Sequence, residues 1–156
     1  DKPIRIKYKD GIETKKARYI MAYISQEDKK ALAPSIKAVL KKYGVKGSIA
    51  IRHHSSLVVN LKEGALDFIG EANKSNAEKA EWRGEQAYEI TGGYYQVNTY
   101  RADEGEGVIG KFFGELIKAM KGTGWFDESD MMTDYFHIAY YLDINVGKWN
   151  KPYQVV

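Results

Sequence analysis

The chain has 156 residues, a net charge of +3, 44% hydrophobic and 29% charged residues, and no cysteine. That length suits one domain with a substantial core, the composition excludes global disorder, and the missing thiols exclude disulfides and thiolate metal sites. No apolar run approaches the roughly 18 residues of a membrane helix and the opening DKPIRIKYKDG lacks a signal-peptide core, so a soluble cytoplasmic protein with a single domain over 1–156 is expected.

The charge is unevenly spread: residues 1–46 hold 13 Lys/Arg against 5 Asp/Glu, and residues 47–156 hold 11 against 16. Ile4, Ile6 and Tyr8 alternate, Asp10-Gly11 supplies a turn, and residues 14–23 offer a partner strand, which together predict a hairpin. Ser25-Gln26-Glu27-Asp28 has capping-box spacing and starts a helix. Leu32, Ile36, Val39, Leu40 and Tyr43 continue it at helical spacing until Gly44, and Pro34 predicts either a kink or a main helix that begins there. Next, SIAIRHHSSLVVNL over 48–61 reads as two strands. Alternation would put His53 with Ile49 and Ile51 and His54 with Arg52, with Ser55-Ser56 at the turn.

Residues 63–93 are polar and predict a long ordered or mobile excursion, with a short helical turn near 65–69 and another capped at Ser75. Gly92-Gly93 ends it and YYQVNTY over 94–100 reads as a strand. The clearest helix spans 108–120, where Val108, Ile109, Phe112, Phe113, Leu116, Ile117 and Met120 form one apolar stripe stopped by Gly122. A last strand over 136–146 alternates Phe136, Ile138, Tyr140, Leu142, Ile144 and Val146 with His137, Tyr141, Asp143 and Asn145. The order predicts an α+β fold: a mainly antiparallel sheet with two amphipathic helices packed on one face. An exposed edge, 4–8 or 136–146, would let two copies pair as a homodimer.

Strand alternation gathers the chemistry-bearing residues on the polar sheet face. Arg52, His54, Asn98, Tyr100, His137, Tyr141 and Asp143 are the candidate binding residues, with Asn60, Gln96 and Asn145 beside them. Aromatics there supply contact area and the amides and Arg supply direction. An enzymatic rival, a metal-dependent or phosphoester hydrolase, would centre on His54, His137 and Asp143. Its support is thin: there is no HExxH motif, His54-Ser55-Ser56 has an H-x-S pattern without a second copy at His137-Ile138-Ala139, and there is no G-x-S-x-G elbow. Gly105, Gly107 and Gly110 read as helix-entry glycines and not as a dinucleotide fingerprint. No catalytic residue, metal or cofactor is therefore assigned. Nucleic acid is a further potential partner through the basic N-terminal third and the sheet tyrosines, although no RNP-like or KH motif is present. Trp82, Trp125 and Trp149 are read as core or rim packing.

Three stretches carry a resemblance: RYIMAYISQEDKKALAPSIKAVLKKYGVKGSIAIRHHSSLVVN, GGYYQVNTY and DYFHIAYYLDINVGKWNKPY. They resemble a group of uncharacterised small bacteriophage proteins and, more distantly, one of the large polyvalent protein-associated domains of phages and conjugative elements. The resemblance implies a protein made or delivered by a mobile element inside a bacterial cell and acting on a host function, counter-defence included. It implies no catalytic residues. The expectation is thus a non-enzymatic binding protein that engages a host protein or nucleic acid.

Overall fold

The structure, a computed structural model, describes residues 22–130, 132 and 137–156. The hairpin expected over 4–23, and with it the edge strand 4–8, lies outside the described residues except for its last two positions. Helix α1 spans Gln26–Lys42 and begins with the capping box: the Asp28 N–H donates to Ser25 Oγ at 3.1 Å and the Ser25 N–H donates to Asp28 Oδ2 at 3.0 Å. Two of the orphan amides at the helix start are thereby satisfied. Pro34 lies inside one uninterrupted helix and is exposed, so the alternative of a separate helix starting there is not realised. Leu32, Ile36 and Leu40 face the core, and Gly44 follows the Tyr43 cap at φ 67°.

Strand β1 (Val45–Arg52) returns as β2 (Ser56–Gly64) in antiparallel register, with a bulge between Lys46 and Gly47. A Cβ on Gly47 would stand 2.6 Å from the Asn60 carbonyl oxygen, so the close approach at this bulge requires glycine. β2 then pairs in parallel with β4 (Tyr141–Val146) and, at its far end, with β5 (Gln154–Val155), while β3 (Tyr95–Gln96) lies antiparallel on the outside of β4. The order is β1-β2-β4-β3. The sheet is mixed and mostly antiparallel; the parallel β2–β4 pair is made possible by the long intervening chain, which carries two helices. The fold is α+β, with three helices among the described residues instead of the two expected.

The third helix is the main departure. Residues 63–93 are not irregular throughout: β2 runs to Gly64, α2 occupies Phe68–Arg83, and 85–93 continue without helix or strand. The Asp67 side chain caps it by accepting the Gly70 N–H at 3.0 Å, and Gly84 ends it in the left-handed region at φ 68°. Ser75 is an interior residue of this helix, not its cap. After a 3-10 turn at Ala102–Glu104, helix α3 covers Gly107–Lys121, as its stripe predicts.

Leu57, Val59 and Leu61 of β2 stand beside Leu142, Ile144 and Val146 of β4. They join Leu32, Ile36 and Leu40 of α1 and Phe112, Phe113, Leu116, Ile117 and Met120 of α3 in one cluster. Phe68 brings α2 into it, with ring centroids 5.2 Å from those of Phe112, Phe113 and Tyr153. Each such fully buried side chain contributes about 1.5–3 kcal/mol relative to exposure. Tyr140, wholly buried, donates its hydroxyl to the Met120 carbonyl and lies 3.1 Å from that of Lys121, tying the approach to β4 to the end of α3.

Two strands are shorter than expected. Only Tyr95 and Gln96 of 94–100 join the ladder; of the strand expected over 136–146, position 136 lies outside the described residues, and the rest becomes strand only from Tyr141. Residues 137–139 are diverted into pairing with 126–128: Asp127 bridges Ile138, the Ala139 N–H donates to Phe126 O at 2.9 Å, and the Glu128 N–H donates to His137 O at 2.7 Å. β4 also lies inside the sheet, between β2 and β3, and is not the free edge that pairing of two copies would need along its length.

Candidate binding cleft

On the face opposite the apolar rows, the register sets Val58 beside Asp143 and Asn60 beside Asn145. Arg52, at the end of β1, reaches across β2, and its Nη2 lies 2.6 Å from Asp143 Oδ2, as an ion pair and not as an aligned hydrogen bond. From the other side Gln96 Nε2 donates to Asp143 Oδ1 at 3.0 Å. Asp143 is only 3% exposed, so this pairing is what makes its burial tolerable. Asn145 Nδ2 donates to Asn60 Oδ1 at 3.2 Å. The polar face is thus knitted across its strands.

Beyond β3 the chain leaves the sheet. Asn98 Oδ1 accepts the Tyr100 N–H at 3.1 Å and Asn98 O accepts the Arg101 N–H at 3.2 Å, a tight turn that projects Tyr100 into solvent at 75% exposure. The space vacated next to β4 is a cleft of about 440 Å³ lined by 96–100, Lys121, Trp125, Ile138, Tyr141 and Leu142. Its volume lies in the roughly 300–1,000 Å³ range of ligand sites. Trp125 forms the inner wall: its Nε1 donates to Tyr140 O at 2.8 Å, and Lys121 Nζ sits 4.5 Å from its ring centroid in a cation–π contact. Tyr141, 48% exposed, faces the opening.

Asn98, Tyr100 and Tyr141 therefore come together at one cleft, with the Arg52–Asp143 pair held behind its Gln96 wall. The two histidines do not join them. His53 and His54 are both exposed and occupy the hairpin turn itself, at φ 52° and 56°, closed by a Ser55 N–H donation to Arg52 O at 3.2 Å. Alternation stops at Arg52, so the expected assignment of His53 to the core face and His54 to the polar face does not apply; of the two serines expected at the turn, Ser55 is its last residue and Ser56 begins β2. His137 is buried against Phe126, ring centroids 4.9 Å apart, with Nδ1 3.1 Å from Glu128 Oε2. Among the described residues no three His, Asp or Glu gather as a metal site requires, so His54, His137 and Asp143 are not held together as metal ligands.

The sequence reading missed Lys121 and placed Trp125 only as packing. Its signal was the position of Trp125 just beyond the helix stop at Gly122, where an aromatic with a polar edge needs a partner. Trp82 and Trp149 are not core or rim residues: they are 86% and 79% exposed. A second groove, of about 500 Å³, lies between α1 and α3 by Lys42, Asp103, Gly110 and Lys111. One of its two carboxylates is occupied: Lys42 Nζ approaches Glu115 at 2.6 Å and Tyr43 donates its hydroxyl to it, and these hydrogen bonds hold Glu115 below the usual carboxylate range. Gly105 and Gly110 serve chain packing there, since a Cβ on Gly110 would collide with the Gly105 carbonyl. No helix among the described residues is long and apolar enough to cross a membrane. No family model, curated protein or solved structure matches the chain.

Proposed function

We propose that the chain is a non-enzymatic binding protein of phage or mobile-element origin that engages a host protein through the cleft beside β4. The origin rests on the resemblance of the three stretches quoted above. The observation that carries the binding reading is the cleft itself, where the exposed rings of Tyr100 and Tyr141, the Trp125 wall and the Asn98 amide converge at one sheet end. Aromatic area with a few directional polar groups is the composition of a recognition surface. The strongest nearby charges, Arg52 and Asp143, are spent on each other. Among the cleft residues Lys121 is the single cation, and it already lies over Trp125, which favours a protein over the phosphate-rich backbone of a nucleic acid.

The test is affinity capture from a bacterial lysate by the wild-type chain and by a Tyr100→Ala/Tyr141→Ala variant, both sites being exposed enough to spare the fold. A protein retained by the wild type and lost on the variant is the expected result. Equal retention by both, or no retention by either, overturns the reading. Binding of labelled single-stranded DNA at low salt that the same variant abolishes would transfer the cleft to nucleic acid.

A further inference from the structure

The cleft exists because β3 is too short for its neighbour. β4 has six residues, and β3 pairs only with Asn145 and Val146 before Val97 adds a last N–H donation to Ile144 O at 2.9 Å. Along β4 the backbone groups alternate in direction. Tyr141 N–H donates to Ser55 O and Gly147 N–H donates to Leu61 O, each at 2.9 Å, so the odd-numbered residues turn towards β2. The even-numbered residues then turn towards the β3 side. On that side the Tyr140 carbonyl is taken by Trp125 Nε1 and the Ile144 carbonyl by Val97. Between them, the N–H and C=O of Leu142 face the cleft, and among the described residues neither has a hydrogen-bond partner.

A donor and an acceptor on one residue of a strand edge, at the floor of a cleft with ligand-sized volume, match one kind of ligand: another extended backbone. We infer that the cleft takes an extended peptide segment, which adds to β4 at Leu142 on the line that β3 abandons. This rests on the cleft-binding reading and specifies its partner. At roughly 3.3 Å of rise per residue, the gap between the Val97 and Trp125 contacts admits about two or three residues of the incoming strand. Their side chains alternate, one towards Val97, Trp125 and Leu142, the next towards Gln96 and Tyr141. The cleft lining holds one cation, Lys121, and no carboxylate, so the segment places a single carboxylate towards Lys121.

The experiment selects a displayed library of random linear heptapeptides on the full chain. Enriched sequences are expected to set an Asp or Glu close to an apolar residue, and Lys121→Glu is expected to weaken the synthetic winner. N-methylation at one backbone position should lower affinity by at least about tenfold, since it removes a hydrogen bond and leaves a backbone group unsatisfied. Saturation with the peptide should also slow hydrogen exchange at the Leu142 amide. An absence of enriched peptides, or a winner that tolerates N-methylation at every position, overturns the inference. So does protection of the Leu142 amide in the free protein that rises with protein concentration, which would assign the edge to a second copy. A winner that tolerates N-methylation but is lost on Tyr100→Ala/Tyr141→Ala removes strand addition and keeps the cleft as the binding site. A winner indifferent to those substitutions removes both.

Discussion

At the hairpin between β1 and β2, the loop 53–55 joins the paired Arg52 and Ser56, and its His53 and His54 both hold positive φ, the left-handed region that Asn and Gly tolerate best. Asn and Gly are the usual occupants, because a side chain in the left-handed region crowds its own carbonyl at a cost of roughly 1–2 kcal/mol. The turn is kept in register by bonds on either side: Ser55 N–H to Arg52 O across it, and the Ile24 N–H donating to His54 O at 2.8 Å from the segment leading into α1. The neighbouring Arg52–Asp143 pair pins the end of β1 to the strand beyond β2. Replacing His53-His54 with Asn-Gly should therefore relieve local strain and raise stability by about 1 kcal/mol, read as a higher urea midpoint with an unchanged slope. A lower midpoint would mean that the imidazoles make contacts worth more than the strain. Nothing in the sequence around the pair announced this role, since alternation through Arg52 continues equally well into the histidines on paper.

Among the elements, α1 carries an evident conflict. Pro34 stands nine residues into a 17-residue helix, where its ring removes one N–H and leaves the Lys30 carbonyl without its helical donor. Exposure of both residues lets water solvate that carbonyl, and burial of Leu32, Ile36 and Leu40 holds the helix together across it. Pro34→Ala should stabilise the protein by about 1–3 kcal/mol, measured by thermal or urea unfolding. Loss of stability instead would show that the proline's fixed φ or its displaced turn is needed for packing. The same helix shows what made parts of the fold legible: α1 and α3 each bury a continuous stripe and stop at glycine, so periodicity finds both. α2 buries only Phe68 and Ala80, and a helix without a stripe leaves no period to read; its local signs are its two ends, the Asp67 cap and the stop at Gly84. β3 and the start of β4 were overestimated for a different reason. YYQVNTY has strand composition, but Asn98 turns the chain by binding the Tyr100 N–H, and both alternating sets at 137–140 are buried, so alternation there reports no single face.

Over the whole molecule, the candidate site was partly visible: Asn98, Tyr100 and Tyr141 could be named from strand pattern, although Asn98 and Tyr100 lie in the turn beyond β3, and their meeting with Lys121 and Trp125 depends on where α3 ends against β4. The same tertiary packing sets a property that no local pattern reports, the alkaline limit of the fold. Tyr95, Tyr140 and Tyr153 lie in three separate segments, and burial pushes the phenol of each up from its ordinary value of 10.0, that of Tyr153 to about 12 with help from the Asp67 and Glu63 charges. When pH rises past 10, the unfolded chain releases these protons before the native chain does, so the unfolded state gains and native stability falls. The contribution of Tyr153 is present in full below pH 10 and is lost as pH rises through about 12. Urea midpoints should accordingly be flat from pH 8 towards 10 and drop steeply by pH 11. Two phenylalanine variants separate the causes. Tyr153 buries a hydroxyl with no hydrogen-bond partner among the described residues, so Tyr153→Phe should be neutral or stabilising by up to about 1 kcal/mol at pH 7 and should retain more of its stability at pH 11. Tyr140 donates its hydroxyl into the end of α3, so Tyr140→Phe should cost about 1–2 kcal/mol at pH 7 while also shallowing the alkaline fall. A wild-type midpoint unchanged to pH 11 would mean that the phenols ionise freely in the native state, and that burial does not hold them.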